Sequence, residues 1–267
     1  MPIDMQNKHI NRPNKILPEL TSVFGLRPLL FDENLPYGTT RIKDGYSSWY
    51  AIPINDNASE FVLIDGGMDK TASKLDIFMA SRALRNDSVK AVLLTHVHSD
   101  HVGVLHKLQK NVPVFVSKPD SKVLLGSAIS EGLIPRMLDK LTRRRHSAVS
   151  GVNPTIISHD QEISLGSLHI RAIMMSGHTT GSVAYLVRRG DKEQPSILFV
   201  GDALDFKKDG SVANANWLFT ADNASSARSI VDTTDLIVSR GIPVSVVVPS
   251  HSGHGDFSAL QAFRLSK

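Results

Sequence analysis

The sequence predicts a layered α/β fold, with two β-sheets inside and helices on the outside. Apolar strand segments alternate with amphipathic helical segments along the chain, as in α/β proteins. Several strand segments nevertheless follow one another directly, which favours two sheets over a purely parallel, doubly wound sheet. The chain has no internal repeat, low-complexity tract or Pro/Gly-rich linker, so nothing divides it into several domains.

Apolar runs between turn signals predict the individual strands and helices. Runs rich in Val, Ile, Leu and aromatic residues predict strands, and apolar residues at helical spacing predict helices. The predicted strands are 47–54, 60–65, 90–95, 112–117, 168–175, 183–189, 196–200 and 244–248. The predicted helices are 71–84, one that begins near residue 102, and 225–240.

The composition limits the chemistry that the chain can perform. It contains no cysteine, so any metal ion has to be bound through the nitrogen and oxygen atoms of His, Asp or Glu. The 30 basic and 26 acidic residues give a net charge of +4, an excess too small to favour a nucleic-acid partner. The polar N-terminal residues and the lack of an apolar run of about 18 residues predict a cytoplasmic protein without a membrane span.

The segment THVHSDH (95–101) places three histidines and an aspartate directly after the predicted strand 90–95. His96 and His98 are two positions apart, so on extended backbone they point the same way and can share one metal ion. Asp100 and His101 enter the next predicted helix and can turn toward a second ion. Such crowding is costly unless a cation compensates it, so the segment predicts a site for two metal ions.

Three later strand ends can complete the two coordination spheres. His178, Asp202 and His251 each follow a predicted strand and lie among small residues. We expect His96, His98 and His178 at one ion, Asp100, His101 and His251 at the other, and Asp202 as a bridge between them. His254, three residues after His251, is a rival ligand, a substrate contact or simply an exposed residue.

These motifs resemble those of the metallo-β-lactamase superfamily. HVHSDH matches its H-x-H-x-D-H signature, and SGHTTGS, FVGDA and VVPSHSGH match its later ligand motifs in the same order. The resemblance begins near residue 45, so we expect an N-terminal extension over 1–40 and the hydrolase domain over 41–267. It implies an αββα sandwich with two metal ions, usually Zn²⁺ and alternatively Mn²⁺ or Fe²⁺, at one edge of the sheets. It also implies that Asp65, in FVLIDGG, supports the ligands from behind.

The reaction that we expect is hydrolysis of an ester, lactone or thioester bond in a small molecule. A hydroxide shared by the two ions would be the nucleophile, and Asp100 would orient it and carry a proton. The resemblance favours these bonds because lactonases and hydroxyacylglutathione hydrolases carry a bridging aspartate, which metallo-β-lactamases proper usually lack. A β-lactam hydrolase, a phosphodiesterase or nuclease, and a non-catalytic binding protein are the alternatives. The sequence leaves the oligomeric state open, and a homodimer is one of the alternatives.

A basic segment separates the early and late ligand motifs, within residues 129–155. Ile134, Met137, Leu138 and Leu141 fall on one face of a predicted helix, and Arg143, Arg144 and Arg145 follow it. One interpretation is a surface helix that packs this face on the core and leaves its cations in water. The other is a wall of the substrate pocket, in which the apolar face contacts an acyl chain and the three arginines attract an anionic group.

Overall fold

Alternating side chains of the buried strands fill two different apolar cores. The computed structural model describes residues 31–266, and its strand β3 (Ser47–Pro53) is buried along its whole length. Trp49 and Ala51 face one core, whereas Tyr50 and Ile52 face the other. Because successive side chains of a strand point to opposite faces, the sheet that contains β3 is covered on both sides.

Two sheets form the centre of the structure, and a short hairpin lies beside them. The seven-stranded sheet runs in the order β1 (Phe31–Asp32), β2 (Thr40–Asp44), β3, β4 (Phe61–Ile64), β5 (Val89–Leu93), β6 (Val114–Ser117) and β7 (Pro154–Ile157). The five-stranded sheet contains β8 (Gln161–Leu165), β9 (Leu168–Met174), β10 (Val183–Arg189), β11 (Ser196–Gly201) and β14 (Val244–Pro249), in the order β14-β11-β10-β9-β8. The hairpin pairs β12 (Leu204–Phe206) with β13 (Val212–Asn214).

Helices cover the outer face of each sheet. The described helices are α1 (Ser73–Ser81), α2 (Lys118–Leu124), α3 (Leu133–Thr142), α4 (Asn223–Ser239) and α5 (Phe257–Leu265). Helices α1 and α2 supply apolar residues to the core outside the first sheet, and α4 and α5 supply them to the core outside the second. A third core lies between the sheets. This layering confirms the predicted αββα sandwich.

All eight predicted strands are present, with ends that differ by up to two residues. The strands that the sequence did not reveal are short or lie toward sheet edges, where polar residues hide the alternation. In β2, for example, Thr40 and Asp44 are buried together with Ile42. The first sheet begins at Phe31, ahead of residue 41, where we expected the domain to start. Residues 1–30 of the expected N-terminal extension lie outside the described residues.

The helix expected near residue 102 is a single 3-10 turn, Gly103–His106. The amide groups of Gly103 and Val104 donate to the carbonyl groups of Gly67 and Gly66, at 2.7 and 2.9 Å. The amides of Lys107 and Leu108 both donate to the carbonyl of Val104, at 3.1 Å, and the turn ends there without continuing as an α-helix. The turn holds the loop that carries the histidines against the loop that carries Asp65.

Helix α3 contributes no apolar residue to any of the three cores, and its one buried residue is Asp139. The interpretation that its apolar face packs on the core is therefore wrong. None of the helices described here combines the length and the apolar character that crossing a bilayer requires.

Two glycines with left-handed backbone differ in the space around them. Gly201 (φ +56°) ends β11, and a Cβ there would lie 2.5 Å from Thr95 Oγ1, whereas nothing lies within 4 Å of a Cβ at Gly210 (φ +80°). We expect Gly201→Ala to lower the free energy of unfolding by several kcal/mol, through backbone strain of about 1 kcal/mol and a displaced Thr95. Gly210→Ala should lower the free energy of unfolding by the backbone strain alone, about 1 kcal/mol. Urea unfolding of both variants measures the difference, and equal losses would contradict it.

Candidate metal centre

The seven residues predicted as metal ligands lie together at one edge of the sandwich. His96 and His98 follow β5, His178 follows β9, and Asp202 and His251 follow β11 and β14. The ends of these strands meet at the same edge, because β4 to β7 run parallel and β11 runs parallel to β14. Three groups there could each hold a metal ion: a first group of His96, His98 and His178; a second group of Asp100, His101 and His251; and a third set, His96, His101 and Asp202, which shares a histidine with each of the other two.

Three ring nitrogens converge in the first group. His96 Nε2 lies 3.1 Å from His98 Nδ1, and His178 Nε2 lies 3.2 and 3.0 Å from these two atoms. All three histidines are buried. Ligands of a tetrahedral zinc ion with Zn–N bonds of about 2.0–2.1 Å stand about 3.4 Å apart, so this spacing is close to that of a closed coordination shell.

Hydrogen bonds on the outer side fix which nitrogen of His96 and His178 faces inward. The hydroxyl of Thr95 donates to Asp65 Oδ2 at 2.8 Å, so its oxygen accepts from His96 Nδ1, 3.1 Å away. The hydroxyl of Thr220 likewise donates to a carbonyl and accepts from His178 Nδ1 at 3.2 Å. Each outer nitrogen therefore carries the proton, and each inner Nε2 presents a lone pair.

His98 faces the cluster with its other nitrogen. Its Nε2 donates to the carbonyl of Glu131 at 3.0 Å, which leaves Nδ1 unprotonated and directed at the cluster. The Glu131 side chain in turn accepts from the amide and the hydroxyl of Thr180, at 2.5 and 2.9 Å. Glu131 therefore joins the loop of His98 to the loop of His178. No local sequence pattern marks Glu131, because its partners lie far away along the chain.

The second group combines two histidines with a carboxylate. Asp100 Oδ2 lies 3.6 Å from His101 Nε2 and 3.5 Å from His251 Nε2. His101 Nδ1 donates to Asp65 Oδ2, and His251 Nδ1 donates to the carbonyl of Tyr46, both at 3.0 Å. The outer nitrogens again hold the proton, so both Nε2 atoms face Asp100.

Asp202 lies between the two groups. Its Oδ1 is 3.3 Å from His101 Nε2, and its Oδ2 is 2.8 Å from His251 Nε2. The same Oδ2 is 3.6 Å from His178 Nε2 and 3.8 Å from the corresponding atom of His96. One carboxylate thus reaches ligand atoms of both groups.

The donor set fits metal ions of the kind that bind to nitrogen and oxygen. His101 Nε2 and Asp202 Oδ1 are buried and have no hydrogen-bond partner, although they face each other. The converging lone pairs of the first group have no proton between them. Such an arrangement is unfavourable in an empty interior, and a cation satisfies it. The imidazole and carboxylate ligands suit zinc, and their number is sufficient for two ions.

Burial and charge divide the histidines into two sets. Burial lowers the pKa of His96 and His98 and brings the pKa of His178 to about 3, so these rings are neutral and can bind a metal. At His101 and His251, burial is outweighed by the nearby carboxylates, chiefly Asp202, which raise the pKa of His101 well above its usual value and that of His251 to about 9. The carboxylates thus favour a positive charge at His101 and His251. Without a metal ion, a proton on the imidazole ring provides that charge.

A buried aspartate that the sequence did not reveal positions two of the ligand loops. Asp120, at the start of α2, accepts from the amide of Val97 at 2.8 Å and from the hydroxyl of Thr179 at 3.0 Å. Val97 lies between His96 and His98, and Thr179 follows His178. Burial raises the pKa of Asp120 to about 7. Nothing in the sequence around KPDSK distinguishes this residue from a surface helix start.

Five of the seven residues, His98, Asp100, His178, Asp202 and His251, line a cavity of about 520 Å³. Ile134, Pro135 and Leu138 of α3 and Phe219 form an apolar wall. The polar residues that line it besides the cluster include Tyr46, Ser99, Asp205 and Asn216. The Tyr46 ring stacks on the His251 ring with the ring centroids 5.7 Å apart.

The structure does not bring the four predicted substrate contacts to this cavity. His254 is exposed and lines a separate depression beside α5. Arg143, Arg144 and Arg145 are exposed beyond the end of α3. They do not line the cavity, so an effect on substrate would have to act at longer range.

The model of the metallo-beta-lactamase superfamily matches residues 42–251, and the chain belongs to this superfamily. Its members bind metal ions, usually zinc. Relatives named as metallo-hydrolases support a metal-dependent hydrolase. The probable polyketide biosynthesis zinc-dependent hydrolase PksB of Bacillus subtilis (strain 168) is 26% identical over 223 residues, which cover 82% of this chain and 80% of that protein.

Two other relatives are matched over a smaller part of their length. The probable metallo-hydrolase YqgX of Bacillus subtilis (strain 168) is 26% identical over 116 residues, 43% of this chain and 49% of that protein. The human hydroxyacylglutathione hydrolase-like protein is 28% identical over 165 residues, 60% of this chain and 48% of that protein. The chain thus spans about half the length of these two relatives.

Solved structures share the fold. The BLEG-1 B3 metallo-beta-lactamase superposes with a TM-score of 0.60 at 21% identity, over 84% of this chain and 96% of that one. A quorum-quenching N-acyl homoserine lactone lactonase superposes with a TM-score of 0.53 at 16% identity, over 80% of each chain. At these identities the likeness establishes the architecture alone.

Asp65→Asn should weaken metal binding by roughly 10- to 100-fold. Asn tolerates the left-handed backbone of this position (φ 59°). If its side-chain oxygen keeps the bond from the Thr95 amide, its NH2 group faces His101 Nδ1 and cannot accept from it. The proton of His101 would move to Nε2, on the ligand side. Asp44→Asn is the control, because buried Asp44 accepts from two backbone amides and contacts no histidine. Competition with a chelator measures the affinity, and equal losses in both variants would contradict the tautomer argument.

The stability of the Asp120→Asn variant, relative to that of the parent protein, should increase as the pH rises. The pKa of about 7 in the folded protein exceeds the value of about 3.9 in an unfolded chain, so between these values the folded protein binds more protons. The free energy of unfolding of the parent therefore falls with rising pH, and the variant lacks this term. Between about pH 5 and pH 8, the free energy of unfolding of the parent should therefore fall by up to roughly 3 kcal/mol relative to that of the variant. Urea unfolding at both pH values tests this, and a constant difference would refute it.

Proposed function

We propose that this protein is a hydrolase with two metal ions, usually zinc, that cleaves an ester, lactone or thioester bond in a small acylated substrate. One observation carries the proposal: a single carboxylate, Asp202, reaches two groups of ligand atoms at the floor of a cavity with an apolar wall. A non-catalytic binding protein has no need of this complete, preorganised set of donors.

In the proposed site, seven residues hold the two ions. His96, His98 and His178 would hold one ion, Asp100, His101 and His251 would hold the other, and Asp202 would contribute to both. Divalent ions, when bound, lower the pKa of water toward neutrality and polarise a carbonyl oxygen. The hydrogen bonds on the outer nitrogens of the histidines keep the inner lone pairs in place, so little reorganisation is needed at each turnover.

Asp100 is the proposed proton carrier. Its carboxylate lines the cavity and lies within 3.6 Å of both histidines of its group. From there it can orient the attacking water, accept its proton and transfer that proton to the leaving group. Tyr46 stacks on the ring of His251 and its carbonyl accepts from Nδ1 of that ring, so it positions the ring beside the cavity.

The shape of the cavity supports an acylated substrate. Ile134, Leu138 and Phe219 offer an apolar surface beside the cluster, and Asp205 and Asn216 offer polar contacts. The volume of about 520 Å³ suits a small molecule. The three arginines after α3 would attract an anionic substrate through water. The name of one relative, which refers to hydroxyacylglutathione, also favours a thioester bond.

The experiment is metal analysis of the purified protein together with a panel of lactone, thioester, β-lactam and bis-nitrophenyl phosphate substrates. We expect about two ions per chain, loss of activity in chelator, and preference for the lactone or thioester. Within that class the rate should rise with acyl chain length because of the apolar wall. Cleavage of the β-lactam or the phosphate diester alone would replace the proposed bond class.

Two histidines three residues apart provide the matched variants. His251→Ala should remove metal from the second group and lower the rate by at least about 100-fold, because His251 is a proposed ligand. His254→Ala should leave the metal content and the rate unchanged, because His254 is exposed in a separate depression. Metal loss in His254→Ala with a normal His251→Ala would show that the ligand assignment after β14 is wrong.

A further inference from the structure

A strip of apolar side chains on α3 faces the solvent. Leu133, Met137 and Leu141 are spaced one turn apart and are exposed by 56, 44 and 74%. None of them belongs to an apolar core. At about 100° per residue, this strip lies between Ile134 and Leu138, which line the cavity, and the cationic side of the helix. The exposed strip thus borders the mouth of the proposed active site.

An aromatic residue extends the strip at the start of the helix. The amide of Ile134 donates to the carbonyl of Leu218 at 2.9 Å, so the loop before α4 is fixed against the first turn of α3. Trp217, the residue before Leu218, is 64% exposed. Leucines together with a tryptophan at one surface are typical of helices that lie in a lipid interface.

Uncompensated positive charge surrounds the strip. Arg136 and Lys140 flank it on the helix, and Arg143, Arg144 and Arg145 follow directly; all five are exposed. None of the five forms an ion pair or a side-chain hydrogen bond with another residue of the 31–266 range. The one acidic residue of the helix, Asp139, is buried and accepts from the amides of Ser130 and His146.

We propose that α3, Trp217 and the arginines after α3 form a docking surface for an anionic lipid bilayer. The apolar strip enters the boundary between headgroups and acyl chains, while the cations contact lipid phosphates. The cavity mouth then lies at the lipid surface. For the hydrolase proposed above, on which this last step rests, an amphiphilic acyl substrate would pass from the bilayer along Leu138 and Ile134 to the metal centre.

The charges argue for a lipid surface rather than a second copy of the chain. A two-fold contact through this face would bring five cations of one copy against five of the other. Zwitterionic lipid would satisfy the apolar strip but would leave the cations without counter-charges. An anionic bilayer offers both kinds of contact at once.

Sedimentation of the full chain with vesicles tests the proposal. The probes are vesicles of phosphatidylcholine alone and of phosphatidylcholine with phosphatidylglycerol, at ionic strengths of about 0.01 M and 0.15 M, where the Debye length falls from about 30 to about 8 Å. We expect binding to the anionic vesicles that weakens with salt, and little binding to the others. Each cation near the surface adds about fivefold, so Arg143→Gln, Arg144→Gln and Arg145→Gln together should weaken binding about 100-fold.

Matched control variants distinguish binding through this surface from a general effect of net charge or of exposed apolar residues. Arg85→Gln, Lys192→Gln and Arg240→Gln together remove the same charge from the opposite edge of the sandwich and should leave vesicle binding within about threefold, the long-range share of a net charge lowered by three. Leu141→Ser should weaken binding severalfold, whereas Leu265→Ser, at a position 82% exposed on α5, should not. All of these side chains are exposed, so unfolding is not expected, and circular dichroism checks it.

Three results would overturn the proposal. The first is no binding to anionic vesicles at low salt, and the second is equal losses in the test and control variants. The third is a protein that sediments as a dimer without lipid and becomes a monomer on Leu141→Ser, which would assign the strip to a second copy. Activity on a water-soluble ester is measured in parallel, so that a failed docking surface is distinguished from a failed hydrolase.

Discussion

The hydrogen bonds of Asp65 are the constraint on which much of the metal centre depends. This buried carboxylate accepts from the amide and hydroxyl of Thr95 and from His101 Nδ1. Through the Thr95 hydroxyl it also sets the proton position on His96. One side chain thus orients a histidine of each group, and Asp120 and Glu131 tie the loops around them. The donors are held in place before any cation binds, which is why the interior of this site carries atoms without partners.

The sandwich fold offsets the free-energy cost of this arrangement. Three apolar cores, one between the sheets and one on each outer face, hold the strands whose ends carry the ligands. Because the cores are separate from the polar edge, the burial of apolar side chains stabilises the strands independently of the metal centre. The cost of crowding five histidines and two aspartates is confined to loops at one end of the sheets.

Helix α3 has a different relation to the fold. It adds nothing to the cores, yet it closes one side of the cavity with Ile134 and Leu138 and leaves Leu133, Met137 and Leu141 exposed. An element of this kind is free to vary in the residues it presents without loss of the sandwich. For the proposed hydrolase, this helix would contribute to the choice of substrate through the residues that line the cavity.

The sequence by itself determined the αββα layering and the seven residues that gather at the metal centre, because both follow from local patterns. Apolar runs mark the buried strands, and His or Asp beside small residues marks the strand ends. Only the tertiary structure decided the rest. Asp120, Glu131 and Thr220 bind the histidine loops across 23 to 59 residues of chain, and no local pattern signals such contacts. The periodicity of α3 likewise identified an apolar face but could not say what lies opposite it, because periodicity records the direction of side chains and not their neighbours.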